Sequence, residues 1–433
     1  MSTPIKPPNL CLAPWTHTYL SPQTERRLCC ASREQPQSFE QYIDRGPGDG
    51  KYTPSPLETY WNSERMRAVR LKMLDNQVPE ECEVCDQKLL NTNVYRDYFN
   101  QLFAHKWPEI PASTDATGAT TMQPVSWDYR FSNLCNFKCR MCGDMLSSAW
   151  EAEQRINNMI DWTNPKNGWM RPEIKEQITQ FQDSIIEKEF SDAVEDHRIE
   201  EIYWVGGEPL MYEQHWRYMQ RIIELGDGPK LYARYNTNLS RTQYRGTDLF
   251  KDILINVRDW QICASLDGTG ATGEYIRTGL DYLLWKKNFE QARSIVRDRR
   301  QLRIDFTLTL PGMTELVNIT QLAKELDVDI LAKLIFSFND DVFMSPLSLP
   351  RSLLKPWISD VIGCVDAAIA ELLEQLLKRE TMEEQFPDTY LDGLQRGKRR
   401  ILELERIRPS ETTMESILAA RPDVLAWYLQ IDA

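Results

Sequence analysis

Residues 127–142 read WDYRFSNLCNFKCRMC, a strand-like run followed at once by Cys135, Cys139 and Cys142 in a Cys-x3-Cys-x2-Cys spacing. Three thiolates so close together suit one iron–sulfur cube, because soft thiolates select iron–sulfur clusters or zinc. The set has no fourth member. A four-iron cluster held by three cysteines leaves one iron open, and an open iron can bind and activate a small molecule. The competing reading is a zinc knuckle, or a half-site completed by a distant cysteine.

Working outward, strand and helix signals alternate along the chain. WDYRFSN is followed by SSAWEAEQRINNMI, EEIYWV, EQHWRYMQRIIEL, LYARYNT, DWQICASL, LLWKKNFEQARSIVRDR, RIDFTLTL, ITQLAKELD and LAKLIFSF. About six βα units in this order predict a parallel sheet with helical crossovers. The insertion over 143–200 is longer than one crossover needs, which predicts two helices interrupted near DWTNPKNGW. PEIPASTDATGATTMQPVS (108–126) has the composition of a linker. The expected organisation is a cysteine-bearing module over 1–107, that linker, an α/β core over 127–342 and a helical region over 343–433. Within the core, Gly206-Gly207-Glu208 follows the strand IYWV and precedes a helix; two glycines let the backbone approach a neighbour closely. Otherwise this motif is a turn carrying an exposed acid.

The cysteine spacing, the strand before it and the later Gly-Gly-Glu resemble the radical S-adenosylmethionine (SAM) superfamily. The resemblance implies a partial (β/α)6 barrel of the TIM type with its ligands at the C-terminal strand ends. It also implies a [4Fe–4S] cluster on Cys135, Cys139 and Cys142, with SAM at the open iron. Reductive cleavage of SAM then gives methionine and a 5′-deoxyadenosyl radical, the cofactor carrying the chemistry while the protein positions it. Gly206, Gly207 and Glu208 are implied to receive the methionine ammonium. DWQICASLDG resembles the ribose-binding strand, with Cys263, Ser265 and Asp267 on one face; Ser265 and Asp267 are the candidates for the ribose, and capping of the next turn is the alternative for Asp267. Arg277 in EYIRTG matches an arginine that pairs with the SAM carboxylate, unless it is solvated. Asn238 in NTNLS is either a further SAM contact or a turn former. Gly268, Gly270 and Gly273 spell a dinucleotide-loop pattern, but no helix-opening signal follows tightly, and the segment reads as a flexible loop.

Strand RIDFTLTL places Arg303, Asp305, Thr307 and Thr309 opposite Ile304, Phe306, Leu308 and Leu310. Strands covered on both faces read as continuous apolar runs, so this alternation predicts a wet chamber holding Arg303 and Asp305, or else a solvated sheet face. Asp128, Arg130 and Ser132 align in the same way. Cys263 either faces that chamber as a hydrogen donor or is an inert core thiol.

Nearer the N-terminus, Cys11 and Cys29 bracket a predicted hairpin that turns at SPQTE, and Cys82-x-x-Cys85 follows the helical TYWNSERMRAVRLKMLDN. This arrangement resembles the auxiliary-cluster modules of radical SAM enzymes, the short type called twitch and the longer SPASM. It implies one auxiliary [4Fe–4S] cluster on Cys11, Cys29, Cys82 and Cys85, with Cys30 the rival of Cys29. A zinc ribbon on the same thiols is the alternative. The module precedes the core here, whereas in the family it usually follows. His17 reads as structural.

The net charge of −13 argues against general nucleic-acid binding, which needs basic surface. No apolar run of about 18 residues predicts a membrane helix, and the N-terminus lacks the apolar centre of a signal peptide. A cytoplasmic setting is expected, where ten cysteines serve as metal ligands rather than disulfides. Auxiliary-cluster relatives often modify peptides or proteins, and a second cluster favours net oxidation, an oxidoreductase outcome. The first expectation is therefore a peptide or protein substrate, with reduced flavodoxin or ferredoxin as the implied electron donor. Small-molecule biosynthesis is the second, and a non-catalytic iron–sulfur carrier or sensor the third.

Overall fold

The computed structural model describes residues 6–32, 54–86, 94–335 and 344–432. By contact the chain forms two compact units. One takes residues 1–134, 151–234 and 251–260; the other takes 135–150, 235–250 and 261–433.

In the first unit the predicted hairpin forms from β1 (His17–Leu20) and β2 (Arg26–Arg27), with Tyr19 opposite Arg27. Its turn closes through the Ser21 N–H on the Glu25 carbonyl, and Thr24 takes φ +66°. A pairing the sequence did not announce then follows. β1 lies parallel to β3 (Ser126–Tyr129), Tyr19 opposite Asp128, and β3 lies parallel to β4 (Glu201–Trp204). The order in this unit is β4–β3–β1–β2. The cysteine hairpin thus extends the sheet that carries the strand before Cys135.

One face of these strands is aromatic. Trp127 meets Phe190 edge-on at 5.6 Å, Phe131 stacks on Trp204 at 6.1 Å, and Phe190 meets Tyr218 at 4.9 Å. These rings bury the apolar stripes of helices Glu187–Glu195 and Glu213–Glu224; emptying a site such as that of Phe190 costs about 3–5 kcal/mol. The 143–200 insertion holds the two predicted helices, Ser148–Ile156 and a second from Pro172–Phe181 through a π-turn into Glu187–Glu195. Residues 108–126 are tied down: Trp15 Nε1 donates to Thr114 Oγ1 at 2.8 Å, and Trp61 Nε1 to the Met122 carbonyl at 2.8 Å.

β5 (Tyr232–Thr237) runs from the first unit into the second. There a short hairpin, β6 (Gln243–Tyr244) and β7 (Thr247–Asp248), precedes β8 (Asp259–Ser265). β8 is parallel to β9 (Leu302–Leu308), and β9 to β10 (Asp329–Leu334). The six predicted core strands are β3, β4, β5, β8, β9 and β10. The last begins two residues earlier than LAKLIFSF suggests, and residues 336–338 of that segment lie outside the described residues, as does the expected boundary at 342/343. The architecture is α/β with parallel strands. The expected helical region follows, its longest helix Tyr390–Ile407. No helix among the described residues is long and apolar enough to cross a membrane.

One expectation fails outright. A helix, Gly270–Ile276, does open directly after β8. The carbonyl of Gly268 would stand 2.1 Å from a Cβ on Gly273, so the glycines serve a close backbone approach within the turn. Glu315 accepts from the Thr269 N–H at 2.9 Å and from its hydroxyl at 2.7 Å, closing that helix entrance.

Candidate functional site

The first unit holds the four N-terminal cysteines and the Gly-Gly-Glu turn; the second holds the cysteine triplet, Asn238, Ser265, Asp267 and Arg277.

Cys11, Cys29, Cys82 and Cys85 line one cavity, walled by Leu28, Phe99, Tyr95, Glu81 and Arg96. Cys11 lies just before the short helix Ala13–Thr16 that leads into the hairpin, Cys29 just after β2, and a short helical turn (Glu80–Cys82, then Glu83–Asp86) delivers the other two. Burial pushes the Cys11 thiol up to about 12, with Cys85 adding to the rise. Burial likewise raises Cys29, which Cys30, Cys82 and Cys11 push further. Neighbouring thiols that resist ionisation individually lose their protons when iron supplies the positive charge. The chemistry of four thiols suits an iron–sulfur cluster, although among the described residues no group of three or more His, Cys, Asp or Glu side chains is placed to hold a metal ion. Cys30 is turned elsewhere: its thiol bonds to Tyr95 and feels Asp128 and Arg130. The chain turns here, the Ser32 N–H donating to the Cys29 carbonyl, and Cys29 has the cavity side.

At the turn after β4, Gly206 has φ +113°, and a Cβ on Gly207 would stand 2.3 Å from the Leu134 carbonyl. That same carbonyl accepts from the Glu208 N–H at 2.7 Å. Leu134 is the residue before Cys135 in the chain, and the turn needs glycine because what it meets there is backbone. Tyr212 seals this contact, its hydroxyl donating to the Ser132 carbonyl at 2.7 Å. Glu208 is buried at 1 % exposure and caps the next turn through the Leu210 N–H. Beside it, Asp128 and Arg130 form an ion pair at 3.1 Å, and Arg130 lies over the Tyr19 ring.

In the second unit the triplet loop has its backbone held. The Lys138 N–H donates to the Thr278 carbonyl at 2.7 Å and the Arg140 N–H to that of Ile276 at 2.8 Å. Cys139 is buried, while Cys135 and Cys142 are half-buried. Burial pushes the Cys142 thiol up to about 12, with Cys139 beside it adding to the rise. Burial also raises Cys139, against the pull of the Arg277 guanidinium. Three thiols on one braced loop have the chemistry of cluster ligands.

The remaining residues have these partners within the unit. Arg277 is ion-paired with Asp267 at 2.7 Å and donates to Cys139 Sγ at 3.9 Å. Asp267 is fully buried and also accepts from the Thr307 N–H at 2.8 Å. Asn238 holds a turn: its Oδ1 accepts from the Ser240 N–H and hydroxyl, and its Nδ2 donates to Asn136 Oδ1 at 3.0 Å. It therefore steadies the residue after Cys135. Ser265 is buried and sits opposite Asp305 in the β8–β9 register. Asp305 is buried too, bound by Lys333 Nζ at 2.8 Å and Asn236 Nδ2 at 2.8 Å. Arg303 does not join it; its guanidinium reaches the Arg300 carbonyl at 3.5 Å. Cys263 is a buried thiol at 6 % exposure. Sequence reasoning missed Lys333, although a lone lysine in the apolar run LAKLIF was a usable signal. Nothing local marked Arg96 or Trp150.

Residues 11–86 match the family model of the SPASM iron–sulfur cluster-binding domain. The stretch begins on Cys11 and contains all four cavity cysteines, so the resemblance read from them holds over this part of the chain. No curated protein matches the chain. Among solved structures, the crystal structure of Streptococcus suis SuiB bound to precursor peptide SuiA is similar at 16 % identity and a TM-score of 0.31, over 64 % of this chain and 52 % of that one. SuiB bound to S-adenosylmethionine gives 14 % and 0.32, over 74 % and 65 %. The chain thus spans less than two thirds of either.

Proposed function

We propose that this chain is a radical SAM enzyme with one auxiliary iron–sulfur cluster, its core a partial (β/α)6 barrel. The reading rests above all on the pairing of two thiol sets: three cysteines on one braced loop, and four around one cavity inside the SPASM-like stretch. Cys135, Cys139 and Cys142 would hold a [4Fe–4S] cluster with SAM, and Cys11, Cys29, Cys82 and Cys85 a second one. When bound, the cluster and SAM together supply a 5′-deoxyadenosyl radical that takes a hydrogen atom from the substrate. Gly207 lets the turn meet the Leu134 carbonyl, and Glu208 is the carboxylate proposed for the methionine ammonium. Ser265 serves the ribose. Asp267 acts by holding Arg277 against Cys139, and Asn238 by holding Asn136. The substrate is a peptide or protein, as the auxiliary module favours, and reduced flavodoxin or ferredoxin supplies the electron.

Anaerobic reconstitution tests this. The chain should take up roughly eight irons, two cubes of four, and form 5′-deoxyadenosine from SAM under reduction. Replacing Cys135, Cys139 and Cys142 with alanine should abolish that product and leave about four irons; replacing Cys82 and Cys85 should remove the other four. Undiminished 5′-deoxyadenosine from the triplet variant would refute the assignment, and zinc in place of the last irons would favour a ribbon.

A further inference from the structure

The C-terminal region lies outside the SPASM-like stretch, yet it reaches the cysteine loop. Three successive carbonyls of that loop are each taken by a side chain. Phe137 O accepts from Ser147 Oγ at 2.6 Å, Lys138 O from Arg408 Nη1 at 2.8 Å, and Cys139 O from Trp150 Nε1 at 2.7 Å. The middle donor comes from 270 residues further along the chain.

Arg408 does more than close one hydrogen bond. It is 7 % exposed, and its guanidinium lies 4.2 Å from the centre of the buried Trp150 ring, the ring that holds Cys139 O. Arg400 lies over the same ring at 5.3 Å. On the helix Gly270–Ile276, the Tyr275 hydroxyl donates to Glu405 at 2.7 Å. The Tyr275 ring carries Arg140 at 3.8 Å, and the Tyr275 carbonyl accepts from Arg140 Nε at 2.9 Å. One helix and its end, residues 400–408, therefore grip both sides of Cys139.

We infer that Arg408, pressing Trp150 onto the Cys139 carbonyl, is a positioning residue that locks the spacing of the three thiols and so the retention of the cluster they hold. The cluster part of this inference rests on the function proposed above; the clamp itself does not. A cation that lies over an indole while donating to a carbonyl is served by the broad guanidinium fork. Lysine can replace the donor but not the stack.

Two measurements on the full chain separate the parts. The first is amide hydrogen exchange over residues 135–142 in the iron-free protein. Arg408→Ala should speed exchange there at least tenfold while leaving residues 302–308 unchanged, and Arg408→Lys should restore part of the protection. The second is iron release to a chelator under anaerobic conditions, in a Cys82→Ala/Cys85→Ala background where only the triplet holds iron. Arg408→Ala should release iron several-fold faster, and Arg408→Lys should fall between. If Arg408→Ala does not fold, Trp150→Phe keeps a ring under the guanidinium but loses the donor to Cys139, and should show the same two changes. Wild-type exchange and wild-type release in the folded variants would overturn the clamp. Faster exchange in a parent protein that never takes up iron would instead leave the clamp standing and remove the cluster from it.

Discussion

Arg277 Nε stands 2.7 Å from Asp267 Oδ2, and the same guanidinium reaches Cys139 Sγ at 3.9 Å. A buried carboxylate thus aims a permanent cation at a thiol. Donors to a cluster sulfur stabilise the more negative, reduced state and raise the reduction potential. Arg277→Gln should therefore shift the midpoint potential of the triplet cluster to a more negative value, read by redox titration with electron paramagnetic resonance in the Cys82→Ala/Cys85→Ala background. Asp267→Asn removes the negative charge that offsets this cation and should shift the midpoint the other way. An unmoved midpoint in Arg277→Gln would mean that the contact has no electronic role.

Gly207 offers a sharper steric test. A methyl group there would meet the Leu134 carbonyl at 2.3 Å, and the neighbour is backbone that cannot rotate away. Gly207→Ala should lower stability by ~1–3 kcal/mol and suppress 5′-deoxyadenosine formation, because the displaced carbonyl adjoins Cys135. Gly168 has no heavy atom within 4 Å of the same position, so Gly168→Ala is the neutral control. Equal melting temperatures for the two variants would contradict the close approach.

Asp305→Ala removes the carboxylate that both Lys333 and Asn236 bind. Lys333 keeps a third of its side chain exposed and can rehydrate; the cost should accordingly be ~2 kcal/mol, below the 3–5 of a fully buried pair. Asp305→Asn should lose less, since its amide oxygen still accepts from Asn236. Product formation should fall in Asp305→Ala while SAM cleavage persists, the cluster ligands being elsewhere. Product and cleavage falling together would place Asp305 in the SAM site instead.

Two histidines predict acid sensitivity. Burial lowers both His17 and His215 from 6.5 to about 3, with Arg234 and Arg130 adding to the effect at His17. The unfolded chain therefore binds protons that the folded one refuses. Their contribution is complete above about pH 6.5 and is lost as pH falls toward 3. Melting temperature should drop steeply between these limits, and His215→Gln should flatten the slope. Parallel curves for the two proteins would exclude His215 as a cause.

Much of the fold was legible because it is encoded locally. Period-two alternation in WDYRF and RIDFTLTL marked strands, and turn residues at SPQTE marked the hairpin. The triplet was legible for the same reason, since eight successive residues carry three thiols. Alternation put Asp305 and Arg303 on one side of the strand, yet Asp305 is buried against Lys333 and Asn236 while the Arg303 guanidinium turns back to the Arg300 carbonyl. Alternation sets the side of a strand, not the partner a long side chain finds.

By itself, then, the sequence determined the order of strands and helices, the two thiol sets and the glycines that admit a close backbone approach. All of these are properties of neighbours in the chain, governed by backbone sterics and side-chain period. Only the tertiary structure decided that Cys29 rather than Cys30 lines the cavity, that β1 extends the sheet beside β3, that Asp267 claims Arg277, and that Arg408 holds the Lys138 carbonyl. Each is a contact between segments far apart in sequence. Such partners are chosen by packing and by the need to satisfy buried polar groups, and no local pattern records which distant residue will do so.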